Sequence, residues 1–265
     1  MKHQKKILAS VIIVNFNNGK LLKESLKSIF NQSYKIKEII VVDDFSTDNS
    51  LEILRKFKKK IKLIENKKKT SYGSYNQINC YYKGFLKSKG DFIFFLDSDD
   101  YFKKKKIEIL IKKFKENESL KLIFDLPILK YKKKEIKKRF VQKLFLFSSW
   151  PRISPQSCIS IERQFAKEIF KNLNIKMFKT LWFDFRIASY SYIKNNNLYI
   201  LRKYLTFYRQ LDYSASKKYK SFSKIWWARR EEAHKFISFI SKRLNKKDKI
   251  TPDKIITKII NQLIN

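Results

Sequence analysis

The chain has 265 residues, 43% of them hydrophobic and 15% aromatic, enough for one main core plus an appendage, and this excludes an intrinsically disordered chain despite 32% charge. Its formal net charge is +37, yet all but ten of the 61 basic residues are lysine, which solvates helix faces, whereas bidentate reading of bases or phosphates selects arginine. Cys80 and Cys158 lack paired spacing and His3 and His234 are the only histidines, which excludes a disulfide framework and a zinc site; no apolar run approaches the roughly 18 residues of a membrane span. The expectation is a cytoplasmic chain whose membrane contact, if any, is peripheral.

Ile7 to Val14 is a short apolar run rich in β-branched residues and closed by Asn15-Phe16-Asn17-Asn18-Gly19, the pattern of a buried strand ending in a loop. Leu22, Leu26, Ile29 and Phe30 recur at helical spacing, and Glu38 to Val42 is a second buried strand that stops at Asp43-Asp44. Asp48 or Asn49 caps the next helix, Glu52 completes a capping box with Asn49, and Leu51, Leu54 and Phe57 form its stripe. Ile61 to Ile64 is a third strand. Ser71 to Lys89 is a polar and aromatic loop feeding a helix, which Gly90 ends before the apolar run Phe92 to Leu96. That run stops at Asp97-Ser98-Asp99-Asp100. Ile107, Leu110, Ile111 and Phe114 mark another helix, and Leu120 to Phe124 another strand followed by Asp125.

Alternating strands and helices predict an α/β sandwich with a largely parallel sheet, in which ligands collect at the carboxyl ends of strands. The Asp43-Asp44 and Asp97-Asp99 pairs each follow a buried strand directly, so a parallel arrangement brings them to one rim. Beyond Lys130 the pattern is less regular: a Lys-rich stretch to Arg139, an aromatic stretch to Trp150, and the breakers Pro151 and Pro155. Ser157 to Ile161 reads as a strand, Phe165 to Phe170 and Phe183 to Ile193 as helices, and Leu198 to Leu201 as a strand. From Ser214 onward, Phe222, Trp226, Ala233, Phe236, Ile237 and Ile240 mark a basic amphipathic helix. Thr251-Pro252 opens a second, carrying Ile255, Ile256, Ile259, Ile260 and Leu263. Such stripes either dock on an anionic membrane, with Trp226-Trp227 at the interface, or pack on the main domain or a second subunit.

A diphosphate leaving group needs its growing charge neutralised, and a hard divalent cation held by carboxylates does this. In an extended segment Asp97 and Asp99 point the same way, so one reaches a metal and the other ribose or a metal-bound water. On a surface loop the same pair is an ordinary solvated turn.

Ser10-Val-Ile-Ile-Val-Asn-Phe-Asn17, Val41-Val-Asp-Asp-Phe-Ser-Thr-Asp-Asn-Ser50 and Gly90-Asp-Phe-Ile-Phe-Phe-Leu-Asp-Ser-Asp-Asp100 occur in that order. With these three motifs the chain resembles glycosyltransferase family 2. The resemblance implies a GT-A fold, a Rossmann-like α/β/α sandwich with a mostly parallel central sheet. We assign residues 1–213 to that domain, 1–125 as the nucleotide-sugar half and 126–213 as the acceptor half, and 214–265 to a C-terminal basic helical extension. The resemblance further implies inverting transfer from a UDP-, GDP- or dTDP-sugar to a glycan or lipid-linked acceptor, assisted by Mg²⁺ or Mn²⁺. Asn15 and Phe16 would lie against the base, Asp44 would accept from the base's ring nitrogen, Asp97 would approach ribose and Asp99 would bind the metal. Phe45 departs from the glycine often found after the Asp pair, Val14 stands where many members have proline, and Gly73 to Gly84 offers Asn76 and Asn79 in place of an Ala-Arg-Asn element.

An inverting transfer needs a base opposite the leaving group, and the family draws it from an Asp or Glu in the second half. Asp184, in Leu181-Trp-Phe-Asp-Phe-Arg186, is the candidate, an acid amid aromatics at a helix start; Glu162 and Glu168 compete with it. The alternative for Asp184 is a helix N-terminal acid without a chemical role. Leu205-Thr-Phe-Tyr-Arg-Gln210 resembles the family's closing element, in which Arg209 helps hold the donor phosphates; a surface arginine after a strand is the plainer reading. Two other classes compete. A sugar nucleotidyltransferase would open with a Gly-rich phosphate loop, and only four glycines exist, none forming such a loop. A nucleic-acid binder would rest on the charge and aromatic content, but the acidic clusters repel phosphates unless a metal intervenes, so no specific nucleic acid is expected.

Overall fold

The computed structural model describes residues 7–132, 134–137, 147–151, 153–196, 198–212 and 219–264. His3, most of the stretch 138–150 and the boundary at 213/214 lie outside these residues or at their edge. Strand β1 (Ala9–Asn15) is buried at every position because it runs through the middle of the sheet, as its continuous apolar run requires. It is flanked in parallel by β2 (Glu38–Asp43) and β4 (Phe92–Asp97), with β3 (Lys62–Glu65) parallel beyond β2. On the other side of β4 come β8 (Ile159–Glu162), β6 (Leu122–Lys130), β9 (Ile200–Arg209) and β5 (Tyr101–Phe102), and β7 (Glu135–Lys137) pairs with β6. The sheet is wholly parallel from β3 to β4 and mixed beyond: β8 is antiparallel to β4 and β6, while β9 is parallel to β6.

These directions collect the carboxyl ends of β1, β2, β4 and β9, and the amino end of β8, on one rim. The register makes this explicit, pairing Asn15 with Asp43 and Val14 with Asp97. The expected shared rim of acids is therefore present.

Period-two alternation sends successive residues of β1 to opposite faces. Val11 and Ile13 join a core with Leu22 and Leu26 of α1 (Gly19–Phe30), Leu54 of α2 (Ser50–Lys56) and Leu110 of α4 (Lys106–Glu116). Ile12 and Val14 join the other core, with Ile78 of α3 (Gly73–Lys87), Phe165 of α5 (Arg163–Asn172), Phe183 of α6 (Phe183–Asn195) and Phe236 of α7 (Lys224–Arg243). The result is an α/β/α sandwich.

Several local expectations change. The Asn49 side chain makes no capping bond. Asp48 does that work instead, accepting from Ser50 N (3.0 Å) at the start of α2 and from Gly19 N (2.9 Å) at the start of α1. Glu52 pairs with Lys56 rather than reaching back. Gln156–Cys158 is a 3₁₀ turn, so β8 begins later than Ser157, and β9 outlasts Leu201 because it finds partners in both β6 and β5. At Gly90 an added Cβ would sit 2.6 Å from Ser10 N, so the motif glycine reflects close backbone approach.

The two C-terminal helices behave differently. On α7, Ala233, Phe236, Ile237 and Ile240 pack into the α6-side core. On α8 (Pro252–Ile264), Asp253, Thr257 and Asn261 are buried, whereas Ile255, Ile256, Ile259 and Leu263 face outward. No helix among the described residues is long and apolar enough to cross a membrane.

Candidate active site

Strand β4 ends at Asp97 and the chain turns at once, Asp100 N donating to Asp97 O (3.0 Å) and Ser98 N to Val14 O (3.0 Å). This turn, rather than extended alternation, makes the acids converge. One oxygen from each of Asp97, Asp99 and Asp100 lies within 4.8 Å of the others, so the cluster has three carboxylates and not two.

Each acid is held differently. Asp97 Oδ1 accepts from Tyr81 Oη (2.7 Å) and Gln77 Nε2 (3.0 Å), two side chains one turn apart on α3, and its Oδ2 accepts from Gln156 Nε2 (2.5 Å). Asp100 accepts from Ser157 Oγ (2.6 Å) and from Arg209 N (2.9 Å). Ser157 also accepts from Asp97 N (3.0 Å), so the 3₁₀ turn ties the acids to β8. A wholly buried ion pair steadies it from α4: Lys106 Nζ meets Asp125 Oδ2 (2.7 Å), Ser157 O (2.7 Å) and Thr206 Oγ1 (2.6 Å).

Among the described residues no side chain donates to the Asp99 carboxylate. Burial and the neighbouring Asp97 charge push its pKa up to about 7, with Arg209 opposing. Burial raises Asp97, and burial with the Asp99 charge raises Asp100 well above the carboxylate range. Three crowded, under-compensated carboxylates suit a hard divalent cation with oxygen ligands, so the donor set fits Mg²⁺ or Mn²⁺.

A cleft of about 780 Å³ opens over this cluster. It is lined by Phe16, Asp44, Asp97, Asp99, Asp184 and Arg209, six of the seven residues singled out from the sequence. Asn15 is the exception. It is fully buried, and its amide donates to Asp43 Oδ2 (2.7 Å) and Ser46 Oγ (3.2 Å), bracing the turn after β2. The Phe16 ring carries Lys69 Nζ 3.6 Å from its centroid. Asp44 accepts from Asn66 Nδ2 (3.0 Å), and burial raises its pKa. Asn76 also lines the cleft and holds Thr70 through its amide.

Asp184 sits in the first turn of α6, where its Oδ1 accepts from Phe185 N (2.7 Å). Burial pushes its pKa up to about 6, partly offset by Arg229. Glu162 and Glu168 are outside the cleft, paired with Lys121 (3.2 Å) and Lys194 (2.5 Å). Arg209 is no free surface arginine: its guanidinium bonds Glu24 and the Asp99 carbonyl and lies 4.7 Å from the Tyr101 ring. The neighbouring Tyr208 lines the cleft too, its phenol pushed up by burial and by Asp100 and Asp97.

Gln77, Tyr81, Gln156 and Arg229 were not singled out beforehand. Gln77 and Tyr81 share a helix face, but nothing in a mixed polar helix marks that face as a site. Arg229 comes from α7, inside the segment assigned to the extension, and lies 5.4 Å from the Trp182 ring and 4.3 Å from the Tyr219 ring.

A family model described as "Glycosyl transferase family 2" matches residues 10–178. The chain belongs to glycosyltransferase family 2. It is 36% identical over 126 residues to the poly(ribitol-phosphate) β-N-acetylglucosaminyltransferase TarP of Staphylococcus aureus (strain N315), covering 46% of this chain and 36% of TarP. It is 33% identical over 114 residues to a cholesterol galactosyltransferase of Borreliella burgdorferi, covering 43% of this chain and 31% of that protein. The matched regions thus span about a third of these curated relatives. Among solved structures, S. aureus TarS 1–349 in complex with UDP-GlcNAc aligns over 98% of this chain and 72% of its own at 17% identity, with a TM-score of 0.67. The mannosyltransferase PcManGT from Pyrobaculum calidifontis, in complex with GDP-Man and Mn²⁺, aligns over 98% and 70% at 13% identity, with a TM-score of 0.58. The fold is the GT-A type. Within this family 2 chain, Phe45, at the position where glycine was expected, has a left-handed backbone, at φ 62°.

Proposed function

We propose that the protein transfers a sugar, with inversion, from a nucleotide-diphosphate donor to a hydroxyl of a glycan or lipid-linked acceptor in cell-surface polysaccharide or lipopolysaccharide synthesis. It would act in the cytoplasm, peripherally at the inner face of the cell membrane. The observation that carries the reading is the convergence of Asp97, Asp99 and Asp184 with Phe16 and Asp44 on one cleft, with Asp100 buried behind the two cluster acids. TarS with UDP-GlcNAc and PcManGT with GDP-Man and Mn²⁺ on the same fold support it.

In this mechanism Phe16 and Asp44 bind the base, and Asp97, locked by three neutral donors, meets the ribose without reorganising. Asp99, with its open carboxylate, would hold Mg²⁺ or Mn²⁺, and Asp97 is near enough to assist. Held there, such a cation would supply positive charge against the charge growing on the leaving diphosphate. Arg209, fixed by Glu24 and the Asp99 carbonyl, adds positive charge at the same place. Asp184 accepts the acceptor hydroxyl's proton as the acceptor oxygen bonds to the anomeric carbon and the carbon–phosphate-oxygen bond breaks on the opposite side. Its raised pKa lets it carry that proton and still be ionised near neutrality.

The test is a screen of UDP-, GDP- and dTDP-sugars with Mn²⁺ and glycan or lipid-linked acceptors, with the anomeric configuration of the product read by proton NMR. Transfer with inversion is expected. Transfer with retention, or release of inorganic pyrophosphate in place of nucleoside diphosphate, would overturn the reading.

A further inference from the structure

Helix α8 is packed inside out. Its polar residues are the anchored ones: Asp253 accepts from Arg230 Nε (2.7 Å), with His234 Nε2 at 3.3 Å, and Asn261 Nδ2 donates to Trp227 O (3.1 Å). These bonds hold both ends of the helix against α7. Rolling α8 to bury its apolar side would strand Asp253 and Asn261 without partners, so the outward orientation is fixed. On the outer side Ile255, Ile259 and Leu263 stand 49%, 50% and 79% exposed. Those positions recur at helical spacing and form one stripe, which Ile250 (78% exposed) extends into the connector from α7.

The border of this stripe is cationic. Lys258 flanks it on the helix and is exposed, as are Lys246, Lys247 and Lys249 on the connector. The same three connector lysines, with Lys194 of α6, rim a separate cavity of about 260 Å³ whose floor includes Ile193 and Ile237. Among the described residues between 242 and 264 the only acids are Asp248, paired with Lys254, and the buried Asp253.

We propose that α8 and its connector form a docking surface for an anionic phospholipid bilayer. The isoleucine stripe enters the acyl boundary and the lysine-rimmed cavity receives headgroup phosphate. An apolar face bordered by lysines lies at a lipid interface, where apolar burial and attraction to anionic headgroups add. Charge chooses the lipid over a second copy of this chain: pairing two such stripes would press together the lysine borders of two molecules that each carry +37. The surface is separate from the transfer reaction, so it can be tested without donor or acceptor.

The experiment is co-sedimentation of the full chain with vesicles of phosphatidylcholine alone or in equal mixture with phosphatidylglycerol, at several salt concentrations. Binding to the mixed vesicles and not to the neutral ones is expected. Ile259→Asp with Leu263→Asp should weaken it about a hundredfold, roughly tenfold per apolar side chain kept from the membrane, with an unchanged thermal midpoint because both positions are exposed. Lys246→Glu with Lys247→Glu should weaken it at low salt and flatten its salt dependence. Binding that survives the double aspartate variant and responds only to salt would reduce the effect to general charge and overturn the proposal. A concentration-dependent dimer that the aspartate variant dissociates would overturn it in favour of a second copy.

Discussion

Asp184→Asn exchanges a partly buried carboxylate for an amide of the same shape, and its consequences for stability and for chemistry have opposite signs. The amide keeps an oxygen to accept from Phe185 N, so the first turn of α6 retains its bond. What is lost is a group whose pKa moves from 3.8 to about 6 on folding. A raised folded-state pKa means that the native state holds the proton more tightly. The associated stability is present below about pH 4 and lost as pH rises through about 6. Above that, the ionised wild type is disfavoured by about 3 kcal/mol relative to a neutral side chain. Thermal melts of the two proteins should coincide near about pH 4 and diverge with pH, the variant melting on the order of 6–10 °C higher at about pH 8. Transfer should fall by about 10²–10⁴, and the wild-type rate should rise with pH through about 6. Parallel melting curves at all pH values, or a variant within a few-fold of wild-type turnover, would refute the assignment.

Four further substitutions probe the scaffold. Lys106→Met leaves Asp125 buried and unpaired and should cost about 3–5 kcal/mol in denaturant unfolding, whereas Lys106→Met with Asp125→Leu should recover much of it. Gly90→Ala drives a Cβ into Ser10 N and should destabilise by about 3 kcal/mol, measured the same way. Phe45→Gly relieves a left-handed conformation at an exposed position and should stabilise by about 1 kcal/mol, seen as a higher midpoint with unchanged donor affinity.

Much of the first half of the fold was legible because β1, β2 and β4 are buried on both faces, so Ile7–Val14 and Phe92–Leu96 carry continuous apolar runs that end at acids. Where strands mix polar and apolar residues, as in Ile200–Arg209, the pattern weakened and the strand was read short. Asp97, Asp99 and Asp184 could be found because each is an acid at an element's end. Asn15 could not be told from a cleft residue, since its burial depends on Asp43 and Ser46 across the rim. Gln77, Tyr81 and Gln156 converge on Asp97 only through tertiary packing. Arg229 was hidden by its place in a helix whose stripe reads as an appendage, although that helix closes both the core and the cleft. The periodicity of α8 marked an amphipathic helix, but it takes the Arg230–Asp253 ion pair and the Asn261–Trp227 hydrogen bond to show which face turns inward.

Calorimetry asks directly whether Asp99 and its neighbours hold a nucleotide-sugar diphosphate through a divalent cation, as proposed. Wild type and Asp99→Asn are titrated with UDP-, GDP- and dTDP-sugars, with Mn²⁺ and with the metal chelated. Wild type should bind one of these donors with Mn²⁺ and at least about a hundredfold more weakly without it, and Asp99→Asn should abolish the metal dependence. Failure of every donor to bind wild type with Mn²⁺, or unchanged metal-dependent binding by Asp99→Asn, would contradict it.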